Sequence, residues 1–167
     1  MKTHLKLLRN TLLLLIIGSF SYAQPPEKDI ITYEFPEAQQ EIIETFGEIV
    51  QSLKDRDLDK LISFHGYGPK FTEFKDGEPR NGGEVNESFE REVFGAVTEV
   101  VKFDAKDLQI AVYGDVANVT FHSDFHLKFG EDLVIINEQI TLLFVKTKKG
   151  WKIVHEHHSP LNPKSEN

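Results

Sequence analysis

Residues 150–160 read GWKIVHEHHSP, and the last predicted strand of the domain runs through them from Trp151 to about His158. Side chains alternate between the two faces of a β-strand, so residues two positions apart share a face. One face of this stretch carries Trp151, Ile153, His155, His157 and Ser159. Because that face begins with large apolar groups, the alternation predicts that His155 and His157 point into the interior and that His158 lies outside. A β-bulge would reverse the assignment.

The alternation of apolar and polar side chains, with a period of two residues, extends back through the chain to about residue 100. Between residues 117 and 129 apolar side chains alternate with polar ones, and His122 and His126 fall on the polar face. That pattern is typical of a strand with one buried face. Residues 133–145 are more continuously apolar, which predicts a central strand covered on both sides. The sequence therefore indicates an antiparallel meander of four strands, the last of which ends at about His158.

The first part of the mature chain shows the period of a helix instead. An apolar stripe follows Pro36 at positions 38, 42, 46, 49, 50 and 53, and Pro36 suits the first turn. Asp57 is positioned to cap a short second helix. Residues 70–74 alternate before Asp76-Gly77, which predicts a hairpin turn. A third helix is predicted from about Glu84 to Phe94, with its inner face at positions 85, 89, 93 and 94.

Helices followed by a meander predict an α+β domain, in which three N-terminal helices cover a curved antiparallel sheet. The predicted domain spans residues 35–160. It is preceded by a polar, proline-bearing leader at 24–34 and followed by a frayed tail at 161–167. A curved sheet closed by three helices leaves a cavity between its layers.

The first 23 residues have the features of an export signal. Lys2, Lys6 and Arg9 precede an apolar run at 11–20, and Ser21-Tyr22-Ala23 offers small residues for cleavage. The apolar run is shorter than the roughly 20 residues needed to span a bilayer. The sequence therefore predicts a signal peptide, export to the periplasm or beyond, and no membrane association after its removal.

Composition excludes several classes of function. The chain contains no cysteine, which excludes disulfides, thiolate nucleophiles and cysteine-ligated zinc. Residues 24–167 carry 16 basic and 27 acidic side chains, a formal charge of −11. An acidic chain of this kind disfavours nucleic acid and anionic membranes as partners.

The order of the predicted elements, together with SLKDRDLDKLISFH at 52–65 and GWKIVHEHHS at 150–159, resembles the nuclear transport factor 2-like superfamily. Its SnoaL-like branch, related to the ketosteroid isomerases, is the most similar. The resemblance implies a cone-shaped α+β barrel and a homodimer formed through the sheet. It also implies a cavity that isomerises, cyclises, hydrates or only binds small molecules. Steroid isomerase chemistry itself is not expected, because helix one has no tyrosine and the position of the base falls near Phe74, beside Glu73.

His155 and His157 are the candidate catalytic residues. An inward imidazole can act as a general base, or as a hydrogen-bond donor to a carbonyl or hydroxyl group of a ligand. Further candidates for ligand binding are His65, Tyr67, Glu73, Trp151 and Ser159. Two other interpretations remain for the histidine pair. The rings can simply finish a core strand as hydrogen-bonded groups, or they can bind a metal, for which the sequence assures no third ligand.

The sequence thus predicts an exported domain that binds a small, apolar or partly polar molecule. No metal or other cofactor is implied. If the domain is an enzyme, the expected chemistry is proton transfer by cavity histidines, as in an isomerase, cyclase or hydro-lyase. The alternative is a non-catalytic module that carries a ligand, dimerises or binds a partner.

Overall fold

The computed structural model describes residues 28–161 as three helices and seven strands. The predicted signal peptide and nearly all of the predicted tail lie outside the described residues. The elements are α1 (Pro36–Asp55), α2 (Leu58–Ser63), β1 (Thr72–Lys75), β2 (Glu78–Pro79), α3 (Gly83–Ala96), β3 (Glu99–Tyr113), β4 (Val116–Phe129), β5 (Asp132–Ile136), β6 (Glu138–Thr147) and β7 (Gly150–Pro160). None of the helices in residues 28–161 is both long and apolar enough to cross a membrane.

The first two helices form as their sequences predict. Pro36 occupies the first turn of α1, and the apolar stripe buries Ile42, Ile49 and Leu53 against the sheet. Arg56 ends the helix in the left-handed conformation, and its backbone N–H bonds to the carbonyl oxygens of the last turn. The side chain of Asp57 then accepts a hydrogen bond from the backbone N–H of Lys60 and caps α2.

The strands form one mixed sheet in the order β2-β1-β7-β6-β4-β3, with β5 paired to the far half of β4. Most neighbours are antiparallel, but β1 runs parallel to β7. The predicted α+β architecture, with helices covering a curved sheet, is confirmed. The sheet stays open and does not close into a barrel, because β2 and β3 are both edge strands.

The prediction of a single central strand at 133–145 is wrong, because the segment forms parts of two strands. Asn137 separates β5 from β6, and only β6 lies centrally, between β4 and β7. In β5, Leu133, Val134 and Ile135 are exposed at an edge of the sheet. The continuous apolar run therefore marks an uncovered edge strand followed by a buried strand.

The third helix turns a polar face inward. Gly83, Asn86 and Glu90 are its buried residues, whereas Val85, predicted to face inward, is 55% exposed. Of the other predicted inner residues, Phe94 packs against the core, and Phe89 lies beneath the guanidinium of Arg80 at 3.6 Å. Most of the inner face is polar because it covers the charged part of the sheet, and Phe94, near the end of the helix, reaches the apolar core.

A β-bulge in β7 overturns the predicted orientation of the last strand. In the pairing with β6, Leu143 is opposite His155 and Phe144 is opposite Ile153, so Val154 is an extra residue. The extra residue reverses the alternation after Ile153. Trp151 and Ile153 face inward as predicted, but beyond the bulge it is Glu156 and His158 that face the helices. The inward placement of His155 and His157 is therefore wrong.

Candidate functional site

A small apolar cavity lies between the helices and the sheet. Its volume is about 90 Å³. Pockets for drug-sized ligands span roughly 300–1,000 Å³, and a cavity of about 150 Å³ can hold one benzene ring. Five phenylalanines contribute to its wall, at positions 46, 94, 103, 121 and 125. Four titratable side chains line the cavity as well: His65, Glu90, Glu156 and His158. An apolar space that meets buried acid–base groups is the part of this domain best suited to bind and transform a small molecule.

Glu156 is the centre of these titratable groups. Its Oε1 lies 2.8 Å from Nε2 of His65, and its Oε2 lies 3.3 Å from Nε2 of His158. Burial alone would raise the pKa of Glu156, but the hydrogen bonds from His158 and His65 outweigh burial and lower it. Glu156 is therefore a buried carboxylate held between two imidazole rings.

The two histidines are held at both ring nitrogens. Nδ1 of His65 lies 3.2 Å from the carbonyl oxygen of Leu61, which can only accept a hydrogen bond. Nδ1 of His158 lies 3.1 Å from Oε2 of Glu138. Burial would lower the pKa of His158, but its bonds to Glu138 and Glu156 raise it to about 9. The pKa of His65 is raised in the same way, by Glu156 against the effect of burial.

The row of charged side chains that begins at His65 and continues through Glu156, His158 and Glu138 reaches the surface at Lys75. The Nζ atom of Lys75 lies 2.6 Å from Oε1 of Glu138, and the lysine side chain is partly exposed. Burial would raise the pKa of Glu138, but His158 and Lys75 lower it to about 2. Alternating cations and anions thus connect the solvent to the cavity wall.

A second buried network fixes Glu73 beside the first. Arg80 donates to Oε1 of Glu73 at 3.0 Å, and Nδ2 of Asn86 donates to Oε2 at 2.7 Å. The hydroxyl of Tyr67 donates to Oδ1 of Asn86 at 2.6 Å. Burial and the surrounding carboxylates, Glu90 first among them, raise the pKa of Tyr67 well above its usual range. Tyr67 is therefore a neutral hydrogen-bond donor.

Glu90 differs from the other buried carboxyl groups. It is 7% exposed, lines the cavity and makes no hydrogen bond to any residue of 28–161. Burial raises its pKa well above the usual range for a carboxyl group, and the negative charge of Glu156 raises it further. An unpaired carboxyl group that keeps its proton near neutral pH is suited to general acid–base chemistry.

A family model for the SnoaL-like domain matches residues 42–163, nearly three quarters of the chain. The chain belongs to the SnoaL-like domain family. This confirms the resemblance seen in the sequence. No curated protein sequence matches this SnoaL-like domain significantly.

Solved structures show the same fold at low sequence identity. A protein from Streptomyces avermitilis, described as a candidate dehydratase of the NTF2-like family, has a TM-score of 0.68 at 19% identity, over 77% of this chain and 99% of that one. An NTF2-like superfamily protein from Salmonella enterica has a TM-score of 0.63 at 21% identity, over 79% and 98%. A candidate aromatic ring hydroxylase from Novosphingobium aromaticivorans has a TM-score of 0.64 at 17% identity, over 77% and 92%. At these identities the likeness establishes the NTF2-like fold alone.

The SnoaL-like domain brings together three of the residues singled out from the sequence. The ring of His65 stacks on that of Tyr67 with centroids 4.9 Å apart, and Asn86 links Tyr67 to Glu73. Of these ligand-binding candidates, His65 has an almost fully buried side chain, and its ring reaches the cavity wall.

The other predicted site residues lie elsewhere. His155 contacts the hydroxyl of Thr72 at 2.8 Å, and His157 packs edge-on against Phe74, both on the face of the sheet away from the helices. Ser159 follows them on that face, where it pairs with Gln139. Trp151 is buried, but its indole N–H donates to Glu41 at 2.8 Å and it does not line the cavity.

The most informative residues of the site were missed from the sequence: Glu90, Glu138, Glu156 and His158. A signal for one of them was present, because Asn86 and Glu90 are four residues apart and share a helix face with Phe94. The stretch at 150–160 gave no such signal, since its alternation continues unbroken through the bulge. Three residues of the two buried networks offer atoms that could hold a metal ion: Glu73, Glu156 and His158.

Proposed function

We propose that the cavity of this SnoaL-like domain binds a small, mostly apolar molecule and that Glu90 exchanges a proton with it. The observation that carries the proposal is the carboxyl group of Glu90, which is buried, unpaired among residues 28–161 and exposed to the cavity. A ligand oxygen that enters the cavity can therefore form a hydrogen bond with Glu90.

The proposed chemistry is proton transfer without a cofactor. The acid form of Glu90 donates its proton to a carbonyl or hydroxyl oxygen of the bound molecule. The carboxylate so formed takes a proton back from the rearranging molecule, which leaves the protein unchanged. An isomerase, a cyclase or a hydro-lyase fits this scheme. His65 and His158, rather than His155 and His157, are the imidazole groups beside the cavity, and Glu156 fixes both of them.

The experiment is a thermal-shift screen of small carbonyl and hydroxyl compounds, with acetone, 2-butanone and 2-propanol as first probes, because the cavity of about 90 Å³ is smaller than one that holds a benzene ring. The wild type is compared with Glu90→Gln, which keeps the shape of the side chain and removes the acid. His157→Gln, on the outer face of the sheet, is the matched control. Stabilisation of the wild type and of the control, but not of Glu90→Gln, is expected. An equal response in all three proteins would contradict the role of Glu90.

A non-catalytic ligand carrier is the second candidate. It is favoured by the small, phenylalanine-lined cavity and by the carboxylate partners that already occupy the histidines. Native mass spectrometry of the protein isolated from its own host distinguishes the two candidates. A single retained molecule, released unchanged after long incubation, supports the carrier, and a changed molecule supports the enzyme.

Export and homodimer formation belong to the same proposal. Cleavage after Ala23 would place the domain in the periplasm or outside the cell, and N-terminal sequencing of the secreted protein should begin at Gln24. A chain that still begins at Met1 would contradict export. Sedimentation equilibrium tests the homodimer, for which a mass of one chain at micromolar concentration would be the contradicting result.

A further inference from the structure

The volume of the cavity limits its ligand to a very small molecule. The space between the helices and the sheet measures about 90 Å³. A water molecule takes up about 30 Å³ in the liquid, and a dry protein cavity of about 150 Å³ binds one benzene molecule. The cavity therefore corresponds to about three water molecules and suits a ligand of about three to five non-hydrogen atoms.

Four phenylalanine rings form a continuous row along the wall of this cavity. Phe46 of α1 packs edge-on against Phe121 of β4, with ring centroids 5.3 Å apart. The centroids of Phe121 and Phe125 are 6.3 Å apart, and Phe125 stacks on Phe103 of β3 at 3.7 Å. All four side chains line the cavity. The positions of these rings therefore determine how much space is left for a ligand.

Phe125 is the most firmly held ring of the row. It is paired in register with Phe103 on one side and with Ile136 of β5 on the other. The side chain is buried, and its ring is parallel to that of Phe103 within 10°. Phe121, by contrast, lies opposite a register shift in β3, and Phe46 is only partly buried. A ligand larger than the cavity would have to displace a stacked ring in a close-packed interior.

The cavity wall offers a ligand one free polar group. His65 and His158 already bond to Glu156, whereas Glu90 has no hydrogen-bond partner among residues 28–161. In that part of the chain every fully enclosed side-chain oxygen has a partner, so the oxygens of Glu90 keep contact with open space. An anionic ligand is disfavoured, because burial opposes any charge and Glu156 already carries a negative one. The wall therefore matches a ligand with one uncharged oxygen.

We propose that Phe125 determines the specificity of this site, and that the ligand is an uncharged aliphatic ketone, aldehyde or alcohol of about three to five non-hydrogen atoms. The inference rests on the proposed function for the ligand oxygen, which bonds to Glu90. The size limit rests only on the volume of the cavity and on the fixed ring of Phe125. Ring compounds are excluded, because the phenyl group of Phe125 occupies the space that their ring would need.

The test follows the amide NMR signals of Glu90 and its neighbours in the full mature chain while small molecules are added. The wild type should bind 2-butanone roughly tenfold or more tightly than phenol or cyclohexanone, since a pocket discriminates to this extent against an excess carbon. Phe125→Ala removes one phenyl ring from the wall and should reverse this order. Phe144→Ala is the matched control, because Phe144 is buried in the same sheet but does not line the cavity. It should keep the preference for 2-butanone at these signals.

Phe125→Leu keeps the test decisive if Phe125→Ala fails to fold. The leucine side chain is smaller and still apolar, so this variant should admit cyclopentanone roughly tenfold or more tightly than the wild type does. Circular dichroism of each variant checks that the fold is retained. An unchanged order of affinities in a folded Phe125 variant would overturn the proposal, and so would a wild type that binds no small ketone or alcohol.

The size limit and the role of Glu90 can fail separately. Adding Glu90→Gln to Phe125→Ala should retain the binding of benzene and weaken that of phenol, because only phenol has a hydroxyl group for Glu90. Phenol binding that is unaffected by Glu90→Gln would contradict the proposed function and leave the size limit intact. A wild type that binds phenol as tightly as 2-butanone, and loses both in Glu90→Gln, would contradict only the size limit.

Discussion

The carboxylate of Glu156 lies 2.8 Å from Nε2 of His65, although the two residues are 91 positions apart in the chain. His65 follows α2 and Glu156 lies in β7, so their contact joins the helical layer to the sheet. Both side chains are almost fully buried. A pair of this kind is strongly sensitive to the loss of one partner, because the remaining charge stays buried and uncompensated.

Replacing Glu156 by glutamine should therefore destabilise the domain by about 3–5 kcal/mol. Chemical denaturation followed by circular dichroism measures this loss. His157→Gln, one residue further and exposed, should change the unfolding free energy by no more than about 0.5 kcal/mol. If the two variants proved equally stable, Glu156 would not be the buried centre of the cluster.

Replacing Glu90 by glutamine should have the opposite effect on stability. Folding raises the pKa of Glu90, so the unfolded chain ionises first as the pH rises above about 4.5 and folding loses free energy from there upward. The melting temperature of Glu90→Gln should match that of the wild type at pH 4 and exceed it increasingly between pH 5 and 8. Differential scanning calorimetry across this range checks the sign. A variant less stable at pH 7 than the wild type would contradict it.

The indole of Trp151 offers an optical probe of one surface contact. Trp151 is the only tryptophan and donates to Oε2 of Glu41 at 2.8 Å. Bonds from Lys146 and Trp151 lower the pKa of Glu41, so the carboxylate stabilises the fold above pH 4.5 and this contribution is lost as the pH falls through the lowered pKa. Tryptophan fluorescence should change in a step below pH 4.5. Glu41→Gln should remove that step, whereas Glu44→Gln should retain it.

Two glycines should respond oppositely to alanine. A Cβ atom at Gly83 would lie 2.6 Å from the backbone nitrogen of Gly68, so Gly83→Ala should cost about 1–3 kcal/mol by overpacking. A Cβ atom at Gly47, exposed within α1, meets nothing within 4 Å, so Gly47→Ala should gain about 0.5–1 kcal/mol of helix propensity. Urea denaturation measures both changes. Equal effects would mean that α3 does not approach the loop at residue 68 this closely.

Most of the fold could be predicted because its elements carry local signals. The apolar stripe of α1, the cap at Asp57 and the Asp76-Gly77 turn depend on neighbouring residues only, and each forms where it was predicted. The break at Asn137 was missed, because an apolar run looks the same whether it crosses one strand or two.

Less of the site could be predicted, because it is assembled from distant parts of the chain. His65, Tyr67 and Glu73 were singled out as ligand-binding candidates and lie close together in the structure, and their functional roles stay predictions. Glu90 was missed since a carboxyl group on a helix is normally read as a solvated residue. Only its packing beneath the sheet makes it buried.

The sequence by itself determined that helices cover a sheet, since hydrophobic period and turn chemistry act over a few residues. Its resemblance to SnoaL-like proteins indicated the family. The tertiary structure decided which imidazole groups face the cavity. One extra residue at Val154 reverses the alternation of β7, and the pairing with β6, not the local pattern, places that bulge. The sequence of a strand does not show whether a bulge forms in it. The direction of its side chains is therefore fixed only when the neighbouring strand sets the register.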